Sequence, residues 1–323
     1  MLNTFLYIFG RIQKTILLLF VLGGVCRAQD NAWIESHFAV AEAGFQERWQ
    51  AFGQTKFDLW SPKWKELELK QHFTELLRQR WEVFFTSNEL FGQKDAVGTY
   101  RPDYATPPVE VWKTWFSRYP YPPVVFQYNL AVPDYNASLV TINGQRFIAM
   151  EAPTKENLDA FYRCINDYKV DPLVRLTPAR SGLKDCSVPY WEGRITGNQV
   201  EIGNRKVHYV MTDNWLEHEA IDPHELIKLI YAAKHLVKDN GVIGVHCRAG
   251  VGRTGTFIVG YCLVTEIDAL LDQKVSKKDI RVSIDKFFWQ LSLQRSFTCN
   301  RFLYYWTLHR LVDVKLGNAL RQM

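Results

Sequence analysis

Cysteine is sparse, internal repeats are absent and charge is nearly balanced along this 323-residue chain, and each shortage removes a class of protein. Six cysteines at irregular spacing make no zinc-type cluster. Setting Cys26 aside with the leader described below leaves Cys164, Cys186, Cys247, Cys262 and Cys299, an odd number and a poor disulfide framework. His208, His218 and His224 are too irregularly placed to serve as a metal-ligand set. Without repeats or low-complexity tracts there is no solenoid and no disordered tail to account for.

What is present suffices for one large core, since 47% of residues are hydrophobic and 14% aromatic. The N-terminus stands apart. Arg11 and Lys14 precede the apolar run 15–25, which is too short to span a bilayer, and Cys26-Arg27-Ala28 follows before a polar chain. This pattern reads as a secretory signal over residues 1–28, cleaved after Ala28, and gives a secreted or periplasmic protein whose contact with membrane is limited to that export signal. Those 28 residues carry three of the 39 Lys/Arg and no Asp/Glu, so 36 basic and 34 acidic residues remain, a net +2. That balance gives no support to nucleic-acid binding.

The chemistry concentrates in Val245-His246-Cys247-Arg248-Ala249-Gly250-Val251-Gly252-Arg253-Thr254-Gly255. The β-branched run Val242–Val245 reads as a buried strand ending at the cysteine, and 256–267 carries apolar residues at helical spacing. Gly250 and Gly252 let the turn curl so that successive backbone N–H groups of Arg248, Ala249, Gly250, Val251 and Gly252 point into one concavity at a helix start, a nest for phosphate. The same dipoles favour a thiolate at Cys247. Arg253 supplies a planar fork of donors for two phosphoryl oxygens. His246 and Thr254 flank the loop as supporting residues.

Cysteine, five residues, arginine and threonine after a strand and a histidine resemble the signature of the protein tyrosine phosphatase superfamily, and the wording is similar to its classical and bacterial effector-type members. Further stretches are similar in order and spacing to framework motifs of that domain: 134–138, Phe147–Pro153, 184–186 and Tyr190-Trp191. The resemblance covers roughly residues 125–312. It implies an α/β fold, a twisted mixed β-sheet flanked by helices, hydrolysing phosphotyrosine in proteins through a phosphocysteine intermediate with no cofactor and no metal. It also implies that Asn136 braces the phosphate loop from beneath.

Expulsion of a phenoxide needs a proton donor over the leaving oxygen. Asp213-Asn214-Trp215-Leu216-Glu217-His218 resembles the family's acid loop, with Trp215 as hinge, Glu217 in place of aspartate and Leu216 in place of proline. Asp213 and Glu219 stand close enough in sequence to compete as donor. The family's loop glutamines are missing, with Phe297 and Arg301 at the best-matching positions, and no aromatic wall motif is present, leaving Tyr121, Phe126 and Tyr128 as candidates. Two other functions share these features, a phytase-like inositol-polyphosphate phosphatase and a phosphotyrosine-binding pseudophosphatase.

The rest of the chain divides into a helical extension over 29–107, packed on the core, and a catalytic domain over 108–323. In the extension Trp33, His37 and Val40 are expected on one buried face, and Trp64, Leu67, Leu69, Phe73, Leu76, Leu77 and Trp81 on another. A short helix is expected over 109–118, before the proline-rich 119–123 and a strand over 124–128. Asn143-Gly144 predicts a hairpin between strands 138–142 and 146–149. Pro153-Thr154 predicts a helix to Tyr168 capped by Thr154, Leu173–Leu176 and Arg205–Met211 two further strands, and Pro223 a helix to Val237. Ser276 predicts the cap of a helix reaching Gln294, and 298–314 the last helix.

Overall fold

A computed structural model describes residues 31–53, 57–90, 130–132, 135–178, 188–295, 298–318 and 320, with side chains omitted over 81–90. The expected signal peptide, the helix over 109–118, the strand over 124–128, the 184–186 motif, Trp81 and Phe297 lie outside what is described, as do the candidate wall aromatics Tyr121, Phe126 and Tyr128.

The hairpin forms as its turn chemistry requires. β1 (Leu130–Val132) pairs antiparallel with β2 (Tyr135–Ile142), and β2 with β3 (Gln145–Met150) across Asn143 and Gly144, both at positive φ, 49° and 78°. The other strands are β4 (Leu173–Arg175), β5 (Ile195–Thr196), β6 (Gln199–Ile202), β7 (Arg205–Met211) and β8 (Val242–His246). Together they make an eight-stranded mixed sheet in the order β1-β2-β3-β8-β4-β7-β6-β5. Its central four strands, β3, β8, β4 and β7, run parallel. Their carboxyl ends therefore share one edge of the sheet, and the loops after β8 and β7 emerge there on either side of β4. All five residues of β8 are buried, as expected of a strand covered on both faces. The short β5-β6 hairpin was not anticipated, because Gly197 and Gly203 bound segments too short to show periodicity.

Helices cover both faces. α1 spans 31–52 and α2 Glu66–Leu90, and α3 (Leu158–Asp167) buries Ala160, Phe161, Cys164 and Ile165 beneath the sheet. On the other face lie α4 (Pro223–Leu236), α5 (Gly252–Asp272), α6 (Ile284–Ser292) and α7 (Phe302–Leu316). α5 is buried on nearly every side from Gly252 to Val264, the mark of a core helix. α4 begins as expected at Pro223, with the Asp222 carboxylate accepting from His224 N and Glu225 N.

Three expectations are corrected. In α1 the buried stripe is Ile34, Phe38, Ala41, Phe45 and Trp49, while Trp33 and Val40 face solvent, and in α2 Leu67 is exposed beside buried Leu69, Phe73 and Leu76. Both stripes keep the helical period; that of α1 is rotated by one residue toward Tyr168, whereas that of α2 holds apart from Leu67, with Phe73 packed on Phe302 and Tyr305 of α7. α3 starts at Leu158, not at Thr154; the Thr154 N–H donates to Asn157 Oδ1, forming a turn before the helix. α6 is capped by Ser283, whose Oγ accepts from Lys286 N at 3.1 Å. Ser276 instead opens a turn over 277–279 in which its carbonyl accepts from Asp279 N at 2.8 Å, and farther on Val282 O accepts from Trp60 N at 2.9 Å.

The N-terminal helices pack on the sheet domain through polar as well as apolar contacts. Arg48 Nε donates to Leu293 O at 2.6 Å, Arg80 Nη1 to Thr298 O at 2.5 Å and Arg146 Nη1 to Glu35 Oε1 at 2.7 Å. Each fully buried aromatic or leucine in the shared core contributes about 1.5–3 kcal/mol relative to exposure.

Candidate active site

Cys247 sits at the carboxyl end of β8, 3% exposed, and the chain then turns through 248–251 into α5. The turn is held from behind through its carbonyls. Arg248 O accepts from Ala152 N at 2.9 Å, Gly250 O from Arg295 Nε at 2.7 Å, Ala249 O from Arg295 Nη2 at 3.3 Å, and Val251 O from Cys299 N at 3.3 Å. Opposite these bonds, the N–H groups of Val251 and Thr254 are directed at the Cys247 sulfur, the side on which an anion nest would open. Gly250 is at φ +67°, and a Cβ there would lie 2.2 Å from Met150 O, so only glycine fits both the left-handed turn and the close approach.

The sulfur is the one thiol among the described cysteines pushed toward ionisation. Burial raises it, and the positive charge of Arg253, the Thr254 hydroxyl and the N–H groups of Thr254 and Val251 together outweigh that and bring it below its ordinary value. The Thr254 oxygen is buried with no carbonyl or side-chain oxygen to bond. Burial instead raises Cys164 and Cys262 far above the usual thiol range and Cys299 to about 12. His246 lies behind the cysteine, fully buried, with Nε2 2.7 Å from the Tyr190 hydroxyl. Burial, then the charge of Arg175, drives its pKa down to about 3, so it is a neutral packing and hydrogen-bonding residue.

Asn136 reaches the loop at one remove. Its Oδ1 accepts from Arg295 Nη2 at 2.9 Å, and it is the buried Arg295, also bonded to Ser138 Oγ at 2.8 Å, that touches the loop carbonyls. Sequence reasoning missed Arg295. Nothing local marks it, since Gln290, Ser292, Gln294 and Ser296 make its neighbourhood mixed, and its partners Gly250 and Asn136 lie 45 and 159 residues away in the chain.

The loop after β7 folds over the site. Trp215 is fully buried, its carbonyl accepts from Arg253 Nη1 at 2.8 Å and its Nε1 donates to Glu219 O at 2.9 Å. Glu217 Oε2 lies 2.8 Å from Arg248 Nη1, and His218 N donates to the Tyr304 hydroxyl at 3.0 Å. A pocket of about 130 Å³ results, with Cys247, Arg248, Ala249, Val251, Gly252 and Arg253 on one side, Glu217 and His218 on another, and Asn300, Arg301 and Tyr304 on the third. Gly250 does not line it. Of the three rival acids only Glu217 does: Asp213 is held by the buried Arg175 at 2.9 Å, and Glu219 meets Trp215 through its backbone. Asn300, which the sequence did not single out, brings a side-chain amide beside Arg301. Tyr304, also unforeseen, stays protonated because burial, then the nearby cysteine, raises it to about 12.

Away from this pocket, Asp58, His72 and Asp285 bring ligand atoms within 4.8 Å of one another. His72 Nε2 is 2.9 Å from Asp285 and Nδ1 3.4 Å from Asp58, and Asp285 also accepts from the Tyr305 hydroxyl at 2.6 Å. Hydrogen bonds account for the group.

The family model for protein-tyrosine phosphatase matches residues 132–217 and 195–313. The human receptor-type tyrosine-protein phosphatase C is 29% identical over 161 residues, covering 40% of this chain and 12% of that protein. The mouse receptor-type tyrosine-protein phosphatase alpha is 29% identical over 191 residues, 47% of this chain and 22% of that protein. The chain thus spans less than a quarter of the length of these relatives. A Trypanosoma cruzi protein tyrosine phosphatase of solved structure aligns over 78% of this chain and 93% of its own at 17% identity and a TM-score of 0.48. With the family model matching from 132 to 313, more than half of its residues and all of the cysteine loop, the chain belongs to the protein tyrosine phosphatase family.

Proposed function

We propose that this protein is an exported cysteine-dependent tyrosine phosphatase that hydrolyses phosphotyrosine in proteins through a phosphocysteine intermediate. The observation that carries this reading is the lowered thiol of Cys247 at the floor of a pocket that Arg253 and Glu217 share. Phosphoryl oxygens take the N–H groups of the loop residues that line the pocket, Arg248, Ala249, Val251 and Gly252, and the fork of Arg253, which places phosphorus in front of the sulfur. The thiolate attacks, the phosphorus–oxygen bond to the tyrosine breaks, and the proton of the Glu217 carboxyl passes to the departing phenolic oxygen. In the second step Glu217, now a carboxylate, takes a proton from water; the water oxygen bonds to phosphorus, the sulfur–phosphorus bond breaks and the thiolate returns. No step calls on a metal or cofactor. His246, Thr254, Asn136 and Trp215 support the site without entering the chemistry.

Export rests on the basic, apolar and small-residue order of residues 1–28. Residues 29–107 would then be the N-terminal part of the mature protein, built onto a catalytic domain over 108–323. N-terminal sequencing of protein recovered outside the cytoplasm tests the cleavage after Ala28.

The deciding assay is vanadate-sensitive hydrolysis of a phosphotyrosyl peptide beside inositol hexakisphosphate, with acid-quenched protein searched for a phosphorylated Cys247 peptide. Preference for the inositol phosphate would establish the phytase-like alternative. Binding of the peptide without turnover would establish the pseudophosphatase.

A further inference from the structure

Three arginines line the pocket, and they are not equivalent. Arg253 is 1% exposed and bonded to the Trp215 carbonyl, and Arg248 is paired with Glu217. Arg301 is different: it stands exposed on the loop that precedes α7, across the opening from the phosphate loop, and makes no ion pair among the described residues. Its side-chain hydrogen bond runs to His218 Nε2 at 3.3 Å. Burial, followed by the charge of Arg301, keeps that imidazole below its ordinary pKa, so it accepts from the guanidinium as a neutral base; Glu217 Oε1 lies 4.0 Å from the same nitrogen, but its other oxygen is engaged by Arg248, and no carboxylate among the described residues pairs with Arg301 directly.

We infer that Arg301, held by His218 at the pocket mouth, forms a second anion site, and that the preferred substrate is a phosphotyrosyl segment bearing another acidic group beside the phosphotyrosine. This rests on the phosphatase reading above and narrows its substrate class. The geometry separates the two anions. The phosphoryl group is taken at the bottom, where Arg253 and the N–H groups converge on Cys247. The guanidinium of Arg301 remains at the lip, where a flanking side chain of a bound peptide passes. A carboxylate or a second phosphate there would receive charge-assisted hydrogen bonds from donors whose orientation His218 already limits.

The test uses three peptides identical except for the residue next to phosphotyrosine: glutamate, phosphoserine or glutamine. The glutamate and phosphoserine peptides should show kcat/KM about tenfold above the glutamine peptide, the scale of a hydrogen bond between charged groups, with the advantage shrinking at high salt. In Arg301→Gln the three peptides should become alike, and in Arg301→Glu the order should reverse. Calorimetric binding of the same peptides to Cys247→Ser reads the same ratio without turnover, and thermal melting of each variant separates loss of the site from loss of the fold. An acidic preference that survives unchanged in both Arg301 variants, or wild-type protein indifferent to the flanking group, would overturn the inference while leaving the phosphatase reading intact. Wild-type protein that hydrolyses none of the peptides but cleaves inositol hexakisphosphate would overturn the reading beneath it.

Discussion

Glu217 Oε2 lies 2.8 Å from Arg248 Nη1, so the carboxylate of the loop after β7 is held over the cysteine pocket by the phosphate loop's own arginine. Of the three carboxylates that the sequence offers, Glu217 is the one that lines the pocket.

Glu217→Gln is expected to lower turnover of phenyl and alkyl phosphates by about 10²–10⁴-fold, the usual worth of a positioned acid. Substrates with leaving groups that need no proton should be affected far less. Asp213→Asn, which removes a partner of Arg175 outside the pocket, should leave the leaving-group dependence unchanged. Steady-state kinetics across a leaving-group series checks both, and the reverse pattern would make Asp213 the donor.

Alkylation of Cys247 by iodoacetamide should follow a thiolate titrating below its ordinary value of 9.0, because Arg253, Thr254 and the loop N–H groups outweigh burial. Thr254→Ala removes one of these contributions and should move the midpoint upward. Cys164, Cys262 and Cys299, all raised by burial, should stay unmodified in the folded protein. Mass spectrometry of rate against pH reads each site.

Arg295→Met should destabilise the fold by at least ~3 kcal/mol, since Asn136 Oδ1, Ser138 Oγ and Gly250 O each lose a buried donor at ~1–3 kcal/mol. The same variant should lose protection by bound phosphate, because the loop carbonyls are no longer held outward. Denaturant melts with and without phosphate measure the two effects.

Stability should also depend on pH through His72. Burial lowers its pKa, but the hydrogen bond and charge of Asp285, with Asp58 and Glu75, raise it overall above 6.5. A folded value above the unfolded one means that this contribution is fully present below about pH 6.5 and is lost as pH rises through the folded value. His72→Gln should flatten that slope in urea melts taken from pH 5.5 to 8.5, a range of about three units around the ordinary histidine pKa. A slope unchanged by the substitution would remove His72 from the linkage.

The phosphate loop was legible because its whole device is local. A strand, a cysteine, paired glycines, an arginine and a helix start lie within about a dozen residues, and backbone geometry forces their N–H groups together. For the same reason the Asn143-Gly144 hairpin and the Asp222-Pro223 helix start formed where the sequence placed them, since turn and cap chemistry acts over two to four residues. Tertiary structure decided what depends on contacts between distant segments. Only packing could rotate the buried stripe of α1 away from Trp33 and Val40, leave Leu67 of α2 exposed, put the α6 cap at Ser283 rather than Ser276, and place Arg295 between Asn136 and the loop. The placement of Glu217 in the pocket and of Asp213 outside it belongs with these. They lie four residues apart on one loop; the buried cation of Arg175 takes Asp213 and Arg248 takes Glu217, and those two arginines stand in β4 and in the loop after β8.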